Sequence, residues 1–402
     1  MGEPKLRFKA DDGSDFPDWE GMTLGDVGSV AMCKRVFKEQ TREVGDVPFF
    51  KIGTFGGVPD AYISKSLFDE LKSKYAYPEV GTILLSASGT IGRQVEYKGE
   101  DAYYQDSNIV WLEHDDTVLD SYLKQFYSVV KWQGLEGSTI KRLYNKTILD
   151  TPFYRPSLPE QRKIADLLSA VDDVISAQEA EVAAWEKRKK GVMQKLFSQE
   201  VRFKADDGSN FPDWEEKTLG NLGTFLKGAP LSKSDITDEG TPLILYGELY
   251  TTYAEVAYSI ARRTDKKVPD KFYSKVGDVV IPTSGETPEE ISTATCVMKD
   301  GVILAGDLYI YRPATNVDGR ILSYLLNHQV NNAISRIAQG KSVVHVQSKE
   351  LERIHVIFPS SPIEQRKIAD CLASLDDVIA KAKDELDAWR ELKKGLLQQM
   401  FV

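Results

Sequence analysis

The stretch that decides the fold is RFKADDGSDFPDWE at residues 7–20, which returns with one difference as RFKADDGSNFPDWE at residues 202–215. A second pair repeats almost as closely: EQRKIADLLSAVDDVI begins at Glu160 and EQRKIADCLASLDDVI begins at Glu364. Self-similarity at this spacing is typical of tandem copies of one structural unit. The segments between the repeated ends differ, so the sequence predicts one repeated frame that holds two different inserts.

The composition is that of an acidic globular protein. The chain has 402 residues, of which 28% are charged, with a net charge of −10. Lys and Arg contacts to phosphate dominate nucleic-acid binding, so this charge argues against a protein that wraps nucleic acid alone. Binding through a local patch, or together with a more basic partner, remains open. The absence of an apolar leader, of an 18-residue apolar run and of C-x-x-C predicts a cytoplasmic protein without disulfide, zinc site or membrane span.

Each EQRK stretch opens a long heptad pattern that predicts a helix, at residues 158–199 and at residues 361–402. Two such helices in one chain are expected to pair as an antiparallel coiled coil. Their apolar face is wider than one pair needs, which favours docking of partner helices, although a hairpin without a partner is the alternative. The residues expected to face a partner are Ile164, Val171, Trp185, Val192, Ile368, Leu375, Trp389 and Leu396. A Ser-x-x-Glu capping box is predicted at the start of each helix, with Glu160 and Glu364 as its acidic members.

The segments before the helices, residues 1–157 and 200–360, are predicted to be mixed α/β domains with the same skeleton. Strands are expected at residues 80–86 and 109–112 and, in the second copy, at residues 276–281 and 308–311. Helices are expected at residues 121–130 and 321–337. The fold class is therefore α/β, with mixed α+β domains and two long helices.

A search for catalytic motifs finds no convincing candidate. The chain has no Gly-x-Gly-x-x-Gly loop, no complete P-loop and no Asn/Asp-Pro-Pro-Tyr box. Pro59-Asp60 followed by Glu70-Leu71-Lys72 loosely fits a nuclease pattern, but residues 67–74 have a helical pattern where a nuclease needs a strand. We therefore predict no catalytic residue and no metal site.

The loops of both inserts carry the residue types that recognise base edges: Arg and Lys for guanine, Asn and Gln for adenine, Ser and Thr for either. A solvated loop residue is the alternative for any one of them. The candidates in the first insert are Lys34, Arg35, Ser86, Ser88, Thr90, Arg93, Gln105, Asn108, Ser138, Thr139, Lys141 and Arg142. Those in the second insert are Lys227, Lys233, Tyr246, Glu248, Tyr250, Thr251, Ser284, Glu286, Lys341, Ser342, His345 and Gln347.

These features together resemble the DNA-specificity subunit of type I restriction–modification systems. The resemblance rests on the tandem arrangement, the FPDWE stretches, the EQRK helix openings and the helix ends GVMQKLF and GLLQQMF. It implies that residues 1–157 and 200–360 are target-recognition domains, each for one half of a bipartite double-stranded DNA sequence. It implies that the helices at 158–199 and 361–402 set the distance between the half-sites.

The resemblance also implies partners for a chain that itself does no chemistry. They are two adenine-methyltransferase (modification) subunits, which use S-adenosylmethionine, and two motor–nuclease (restriction) subunits, all in a bacterial cytoplasm. Two other functions stay open at this point. One is a self-contained nuclease or methyltransferase fused to its recognition unit, and the other is a protein–protein scaffold with two adaptor heads.

Overall fold

The computed structural model describes residues 4–132, 142–338, 340 and 344–401. It divides into two compact units, Met1–Ala180 with Asp384–Val402, and Glu181–Lys383. Each long helix therefore contributes residues to both units.

The first unit combines short strands with helices on a repeated frame. Its elements in chain order are β1 (Glu20–Thr23), α1 (Leu24–Val27), β2 (Gly28–Ala31), β3 (Val47–Phe50), β4 (Tyr62–Ile63), α2 (Lys65–Lys74), β5 (Ile83–Ser86), β6 (Gln94–Glu96), β7 (Tyr103–Tyr104), β8 (Ile109–His114), α3 (Asp120–Tyr127), α4 (Asn145–Leu149), β9 (Pro152–Arg155) and α5 (Leu158–Phe197). The strands form sheets in the orders β2-β8-β5-β6, β4-β3-β7 and β1-β9. In the second of these sheets β3 runs parallel to β7 and antiparallel to β4.

The second unit repeats this plan with additional strands. Its elements are β10 (Glu215–Thr218), α6 (Leu219–Leu222), β11 (Gly223–Lys227), β12 (Thr241–Leu245), β13 (Val256–Ala257), β14 (Arg262–Thr264), β15 (Asp278–Pro282), β16 (Ser284–Gly285), α7 (Pro288–Ile291), β17 (Thr295–Val297), β18 (Ile303–Ala305), β19 (Leu308–Pro313), α8 (Gly319–His328), α9 (Asn331–Ile337), β20 (Val344–His345), α10 (Ser348–Leu351), β21 (His355–Phe358) and α11 (Pro362–Met400). The sheet orders are β11-β19-β15-β17-β13, β14-β12-β18, β16-β20 and β10-β21. As in the first unit, the central strand of the three-stranded sheet, β12, has one parallel and one antiparallel neighbour. The predicted mixed α/β class is confirmed.

The cores lie where the sheets meet the helices. In the first unit one apolar cluster joins β5 and β8 to α3 and α5, and includes the fully buried Tyr122 and Phe153. In the second unit the corresponding cluster joins β15 and β19 to α8 and α11. Strands β5 and β15 are buried throughout, which explains their continuous apolar sequences.

Two predicted helices differ from the observed ones. The segment predicted as one helix at residues 321–337 is two, because α8 ends at His328 and α9 begins at Asn331. The Asn331 side chain accepts the backbone N–H of Asn332 at 2.9 Å, a local bond that competes with helix continuation. The helix predicted at residues 121–130 ends earlier, at Tyr127.

The two long helices pair in opposite directions within each unit. In the first unit Asp172 of α5 bonds to Lys393 of α11 at 2.5 Å, and further along α5, Glu179 bonds to Arg390 at 2.6 Å. Because the residue numbers along α11 fall as those along α5 rise, the two helices run antiparallel. The predicted antiparallel coiled coil is confirmed.

The same antiparallel order holds in the second unit. There Glu186 bonds to Lys383 at 2.7 Å, and Lys189 bonds to Asp376 at 2.5 Å. The apolar heptad positions alternate with these charged contacts along both helices, as expected for a coiled-coil seam.

The last turns of each helix are buried at corresponding places. Met193 and Leu196 of α5 belong to the core of the second unit. Leu397 and Met400 of α11 belong to the core of the first. Each recognition insert is thus packed against the start of one long helix and the end of the other.

Two other kinds of feature are absent from the described ranges. No helix there has the length and apolarity to cross a membrane. In the same part of the chain, no group of His, Cys, Asp and Glu side chains is arranged to hold a metal ion.

Candidate nucleic-acid interface

The two repeated stretches of sequence bind to each other around a buried carboxylate. In the first unit Arg7 donates from Nε and Nη2 to the Glu160 carboxylate at 3.1 and 2.9 Å, and Trp19 Nε1 donates to it at 3.0 Å. Glu160 is fully buried. Its side chain therefore does not cap the helix, and the predicted capping box is wrong. The neighbouring Ser157 hydroxyl makes no hydrogen bond within the described structure.

The second unit repeats the arginine–glutamate pair, but the buried indole N–H of Trp214, the counterpart of Trp19, makes no hydrogen bond within the described structure. Arg202 donates from Nε and Nη2 to Glu364 at 3.0 and 2.9 Å, and Glu364 is also fully buried, so its predicted capping role is wrong as well. Lys367 donates to the carboxylate of Asp206 at 2.6 Å, which matches the bond from Lys163 to Asp11 in the first unit. We call the arginine–glutamate and lysine–aspartate bonds of each unit the clasp. The repeated residues therefore build the frame, which leaves recognition to the inserts.

A glutamine next to each buried carboxylate ties the long helix to the insert. Gln161 Oε1 accepts the backbone N–H of Leu119, and Gln365 Oε1 accepts that of Asp318. Both accepted amides stand at the start of a helix, α3 in the first unit and α8 in the second. The frame thus fixes the same element of both inserts.

Several predicted residues of the first insert come together where strand β5 ends. Ser88 Oγ donates to Asn108 Oδ1 at 2.9 Å, and Arg142 Nη2 donates to the carbonyl oxygen of Ser107 at 3.0 Å. The backbones of Ser88 and Arg142 also form a β-bridge. Ser107 has a φ of 47°, so this loop takes a left-handed turn that ordinary residues rarely adopt. The three predicted residues form one polar surface.

Other predicted residues of this insert shape the loops. Ser86 is buried, and its Oγ donates to the carbonyl oxygen of Thr90 and accepts the backbone N–H of Arg93. A base edge cannot reach a hydroxyl placed in this way. Arg93 Nη1 donates to the carbonyl oxygen of Phe55 at 2.8 Å. These bonds hold the loop after β5 closed.

The loop after β3 is fastened to the same surface. Gln105 Oε1 accepts the backbone N–H of Ile52 at 2.9 Å. Arg35 donates from Nε to Asp106 at 2.8 Å, and the Lys34 ammonium lies 4.9 Å from the centre of the Tyr75 ring. Loops after β2, β3, β5 and β7 therefore converge and carry most of the predicted side chains.

Five of the predicted residues lie outside the described residues. These are Ser138, Thr139 and Lys141 of the first insert and Lys341 and Ser342 of the second.

The corresponding loops of the second insert enclose an open cleft of about 1010 Å³. It is lined by five of the predicted residues: Lys227, Lys233, Tyr246, Glu248 and Thr251. The cleft also contains Arg262, which is not among the residues predicted from the sequence. Arg262 lies at the start of β14, and only the three-dimensional pairing of β14 with β12 brings it to this place.

Glu248 is almost buried at the floor of this cleft. Its Oε2 accepts the backbone N–H of Leu245 at 3.0 Å, and its Oε1 accepts Nε of Arg262 at 3.2 Å. Lys227, at the end of β11, and Lys233 are exposed and also line the cleft. The cleft thus offers hydrogen-bond donors from two lysines and an arginine, and an acceptor from Glu248. Such a lining can bind the uncharged edge of a base that carries both acceptors and donors.

The remaining predicted residues of the second insert lie near strand β16. Ser284 is buried and pairs through its backbone with His345, which is exposed. The Tyr250 hydroxyl donates to the carbonyl oxygen of Ser284 at 3.4 Å, and burial raises the pKa of Tyr250. Glu286 is exposed in the following loop. This group corresponds to the bridge between Ser88 and Arg142 in the first unit.

Gln347 follows β20 by two residues. It occupies the position before α10, where its carbonyl oxygen accepts the backbone N–H of Leu351 at 3.1 Å. The side chain is exposed.

The residues predicted to face a partner differ in how far their side chains are exposed to solvent. Ile164, Val171 and Ile368 are buried in the chain's own core. Val192, Leu375 and Leu396 are partly buried against the same cores. Trp185 and Trp389 are partly buried, and α11 also carries the exposed apolar residues Val378 and Leu392, which lie outside this predicted set.

Comparisons with known proteins agree with this architecture. The family model described as the type I restriction modification DNA specificity domain matches residues 17–184 and 212–388. A putative type I restriction enzyme specificity subunit of Haemophilus influenzae is 54% identical over 155 residues, which cover 38% of this chain and 40% of that protein. The putative MjaX specificity subunit of Methanocaldococcus jannaschii is 25% identical over 98% of this chain and 95% of its own length.

A solved structure has the same fold over the whole chain. The S subunit of a type I restriction–modification system from M. genitalium aligns with a TM-score of 0.65 and 18% identity, over 100% of this chain and 99% of that one. The family model matches both copies of the repeat and well over half of the residues. The chain therefore belongs to the family of type I restriction–modification DNA specificity subunits, which select the DNA sequence and are not the catalytic subunits.

Proposed function

We propose that each insert recognises one half of a bipartite double-stranded DNA sequence. The observation that carries the proposal is the pair of loop surfaces, one in each unit, at the ends of corresponding strands. Both surfaces present the side chains that form hydrogen bonds with base edges, and they differ in nearly every residue. The frame that holds them is the same, down to the bonds of the clasp.

The chain works with catalytic partners. Two modification subunits, which use S-adenosylmethionine to methylate adenine, bind the coiled coil, and two restriction subunits join them. The net charge of −10 supports this division of labour, because the partners then supply much of the contact with phosphate. The part-exposed apolar residues of the helices support docking there, since exposed apolar side chains that cluster mark interaction surfaces.

The decisive experiment exchanges one insert. Residues 25–150 are replaced by the corresponding residues of a related subunit, and the chain is expressed with its modification partner in cells whose methylome is sequenced. We expect one half of the methylated motif to change and the other half to stay. A motif that changes in both halves would contradict independent recognition.

A scaffold without DNA affinity is the competing function. A gel-shift assay with the chain and its modification partner separates the two, because a scaffold would leave the partner's DNA affinity and sequence preference unchanged. The purified chain alone is expected neither to methylate nor to cut DNA, and methyl transfer by the chain without a partner would contradict this assignment.

A further inference from the structure

Each recognition domain contains one exposed arginine that is held through its Nε atom by a nearly buried carboxylate. In the first domain Arg35 donates to Asp106 at 2.8 Å, with side-chain exposures of 61% and 18%. In the second domain Arg262 donates to Glu248 at 3.2 Å, with side-chain exposures of 56% and 12%. Glu248 is itself held by the backbone N–H of Leu245, and each carboxylate restricts the guanidinium group that it accepts from.

Both of these arginines keep their two terminal nitrogens available. Within the described residues, neither Nη1 nor Nη2 of Arg35 or Arg262 donates a hydrogen bond. Four other insert arginines donate from Nη atoms inside the domain: Arg93 to Phe55, Arg142 to Ser107, Arg263 to Gly240 and Arg312 to Asp278.

A guanidinium that is held in this way is ready to bind a planar pair of acceptors. Its two Nη atoms match O6 and N7 of guanine, the most frequent specific contact in the major groove. Because the carboxylate has already restricted the side chain, less conformational entropy is lost on binding. We propose that Arg35 and Arg262 each recognise a guanine, one in each half of the DNA target, with Asp106 and Glu248 as positioning residues. This inference rests on the proposed function.

The surroundings favour guanine over a backbone phosphate as the bound group. A carboxylate lies within hydrogen-bond distance of each guanidinium, and it would repel a phosphate at the same site. A guanine edge carries no net charge. Arg262 also lies in the concave cleft with Tyr246 and Thr251, where an edge of a base fits better than the outer surface of the double helix.

The two arginines come from different elements. Arg35 follows β2, whereas Arg262 begins β14 and was not among the residues predicted from the sequence. The same chemistry therefore arises at different places on one skeleton. The two guanines are accordingly expected at different positions within their half-sites.

The test is methylome sequencing of cells that express the chain with its modification partner. Arg262→Ala is expected to relax one guanine position in one half of the motif, with discrimination there falling at least about tenfold. Arg35→Ala is expected to do the same in the other half only. Arg263→Ala, next to Arg262 in the same strand, and Arg42→Ala in the first domain are matched controls that should leave the motif unchanged.

Three outcomes would overturn the inference. One is a wild-type motif that lacks guanine in either half. Another is a bipartite motif that both alanine variants leave intact. The third is methylation that weakens equally at all sites with an unchanged motif, which would identify a phosphate contact. Failure of the proposed function itself has a different signature, since the wild-type complex would then methylate no bipartite motif.

Further variants separate positioning from folding. Glu248→Ala is expected to relax the same position as Arg262→Ala but by a smaller factor, and Glu248→Gln should restore part of the discrimination because an amide oxygen still accepts from Nε. If Arg262→Ala fails to fold by circular dichroism, Arg262→Lys decides, since it keeps the charge and loses the two-pronged geometry. An unchanged motif in a folded Arg262→Lys variant would count against guanine recognition.

Discussion

At the scale of single residues, the second unit holds a largely buried group of charges around Glu255. Glu255 accepts from His328 Nε2 at 2.5 Å and from Lys189 Nζ at 2.9 Å. Lys189 also bonds to Asp376, which accepts from the Tyr324 hydroxyl. The group joins α5, α8 and α11 to the residue before β13.

The charges within this group shift one another's titration. Burial alone would raise the pKa of Glu255, but the bond from His328 and the ion pair with Lys189 outweigh burial and lower the pKa to about 2. For Asp376 burial prevails and raises the pKa. Burial opposes the charge of Lys189, yet the two carboxylates outweigh it and raise the pKa of the ammonium.

These shifts predict how stability depends on pH. Because the pKa of Glu255 is below its ordinary value of 4.5, its stabilising effect is complete above pH 4.5 and disappears as the pH falls towards 2. Glu255→Gln is expected to lower the free energy of unfolding by about 3 kcal/mol at pH 7. At pH 3 the difference should fall to half or less, as measured by urea denaturation. Glu239→Gln, an exposed change in the same unit, is the control, and a loss that is equal at both pH values would contradict the prediction.

A second residue-scale prediction concerns the clasp. Arg202→Met removes the partner of Glu364, which is fully buried, and an uncompensated buried charge typically costs about 3–5 kcal/mol. We expect a loss of that order in the free energy of unfolding, measured by denaturation. The double variant Arg202→Met with Glu364→Met should recover much of the loss. A double variant less stable than Arg202→Met would show that the carboxylate has another stabilising role.

At the scale of elements, the long helices and the strands β5, β8, β15 and β19 were predictable. The helices carry an uninterrupted heptad pattern, and the strands are buried continuous apolar runs. Short-range signals were less reliable. The Ser-x-x-Glu patterns at residues 157–160 and 361–364 match a capping box, but an arginine more than 150 residues away along the sequence binds each glutamate.

The candidate site was predictable in its residue types and less so in its geometry. Loop residues such as Ser88 and Asn108 were identified because polar loops recur at matching points of both copies. Ser86 is of the same type, but its hydroxyl is turned inward to close the loop. Arg262 carries no local signal, because its place in the cleft depends on pairing between β12 and β14.

The docking surface that we propose on the long helices gives an element-scale prediction. Trp185 and Trp389 are only partly buried. Trp185→Asp and Trp389→Asp are therefore expected to weaken assembly with the modification subunit by tenfold or more, which corresponds to a hot-spot residue. Assembly is measured by analytical ultracentrifugation. Ala184→Asp and Ala388→Asp, at exposed neighbouring positions, are the matched controls. Variants that have native circular dichroism and assemble as well as the wild type would show that the modification subunit does not bind this face of the helices.

At the scale of the whole molecule, the two helices are the only segments that contribute to both units in the described parts of the chain. We propose that their length determines the spacer between the half-sites. A four-residue insertion adds about 6 Å to a helix and turns it by about 40°, which keeps the heptad seam nearly in phase. Insertion points after Ala180 in α5 and after Leu386 in α11 lie between the same two interhelical ion pairs, Glu179 with Arg390 and Glu186 with Lys383. Insertions at both points therefore lengthen the two helices over the same interval.

The modification complex that contains the doubly inserted chain is expected to methylate a motif whose spacer is longer by one or two base pairs, at about 3.4 Å each, with both half-sites unchanged. Methylome sequencing is again the measurement. A single-residue insertion at each place turns the helix by about 100° and should abolish assembly. An active four-residue variant with an unchanged spacer would show that the helices do not measure the DNA.

The clasp has a consequence for the gene. Its bonds connect residues that occur twice, such as Arg7 with Glu160 and Arg202 with Glu364, and these repeated stretches border both inserts. A genetic crossover within a repeated stretch joins the frame of one copy to the insert of another without changing a clasp residue. The recombinant chain keeps its buried charge pairs and acquires a different recognition surface. Recombination can therefore generate new DNA specificities without the loss of stability that most sequence changes cause.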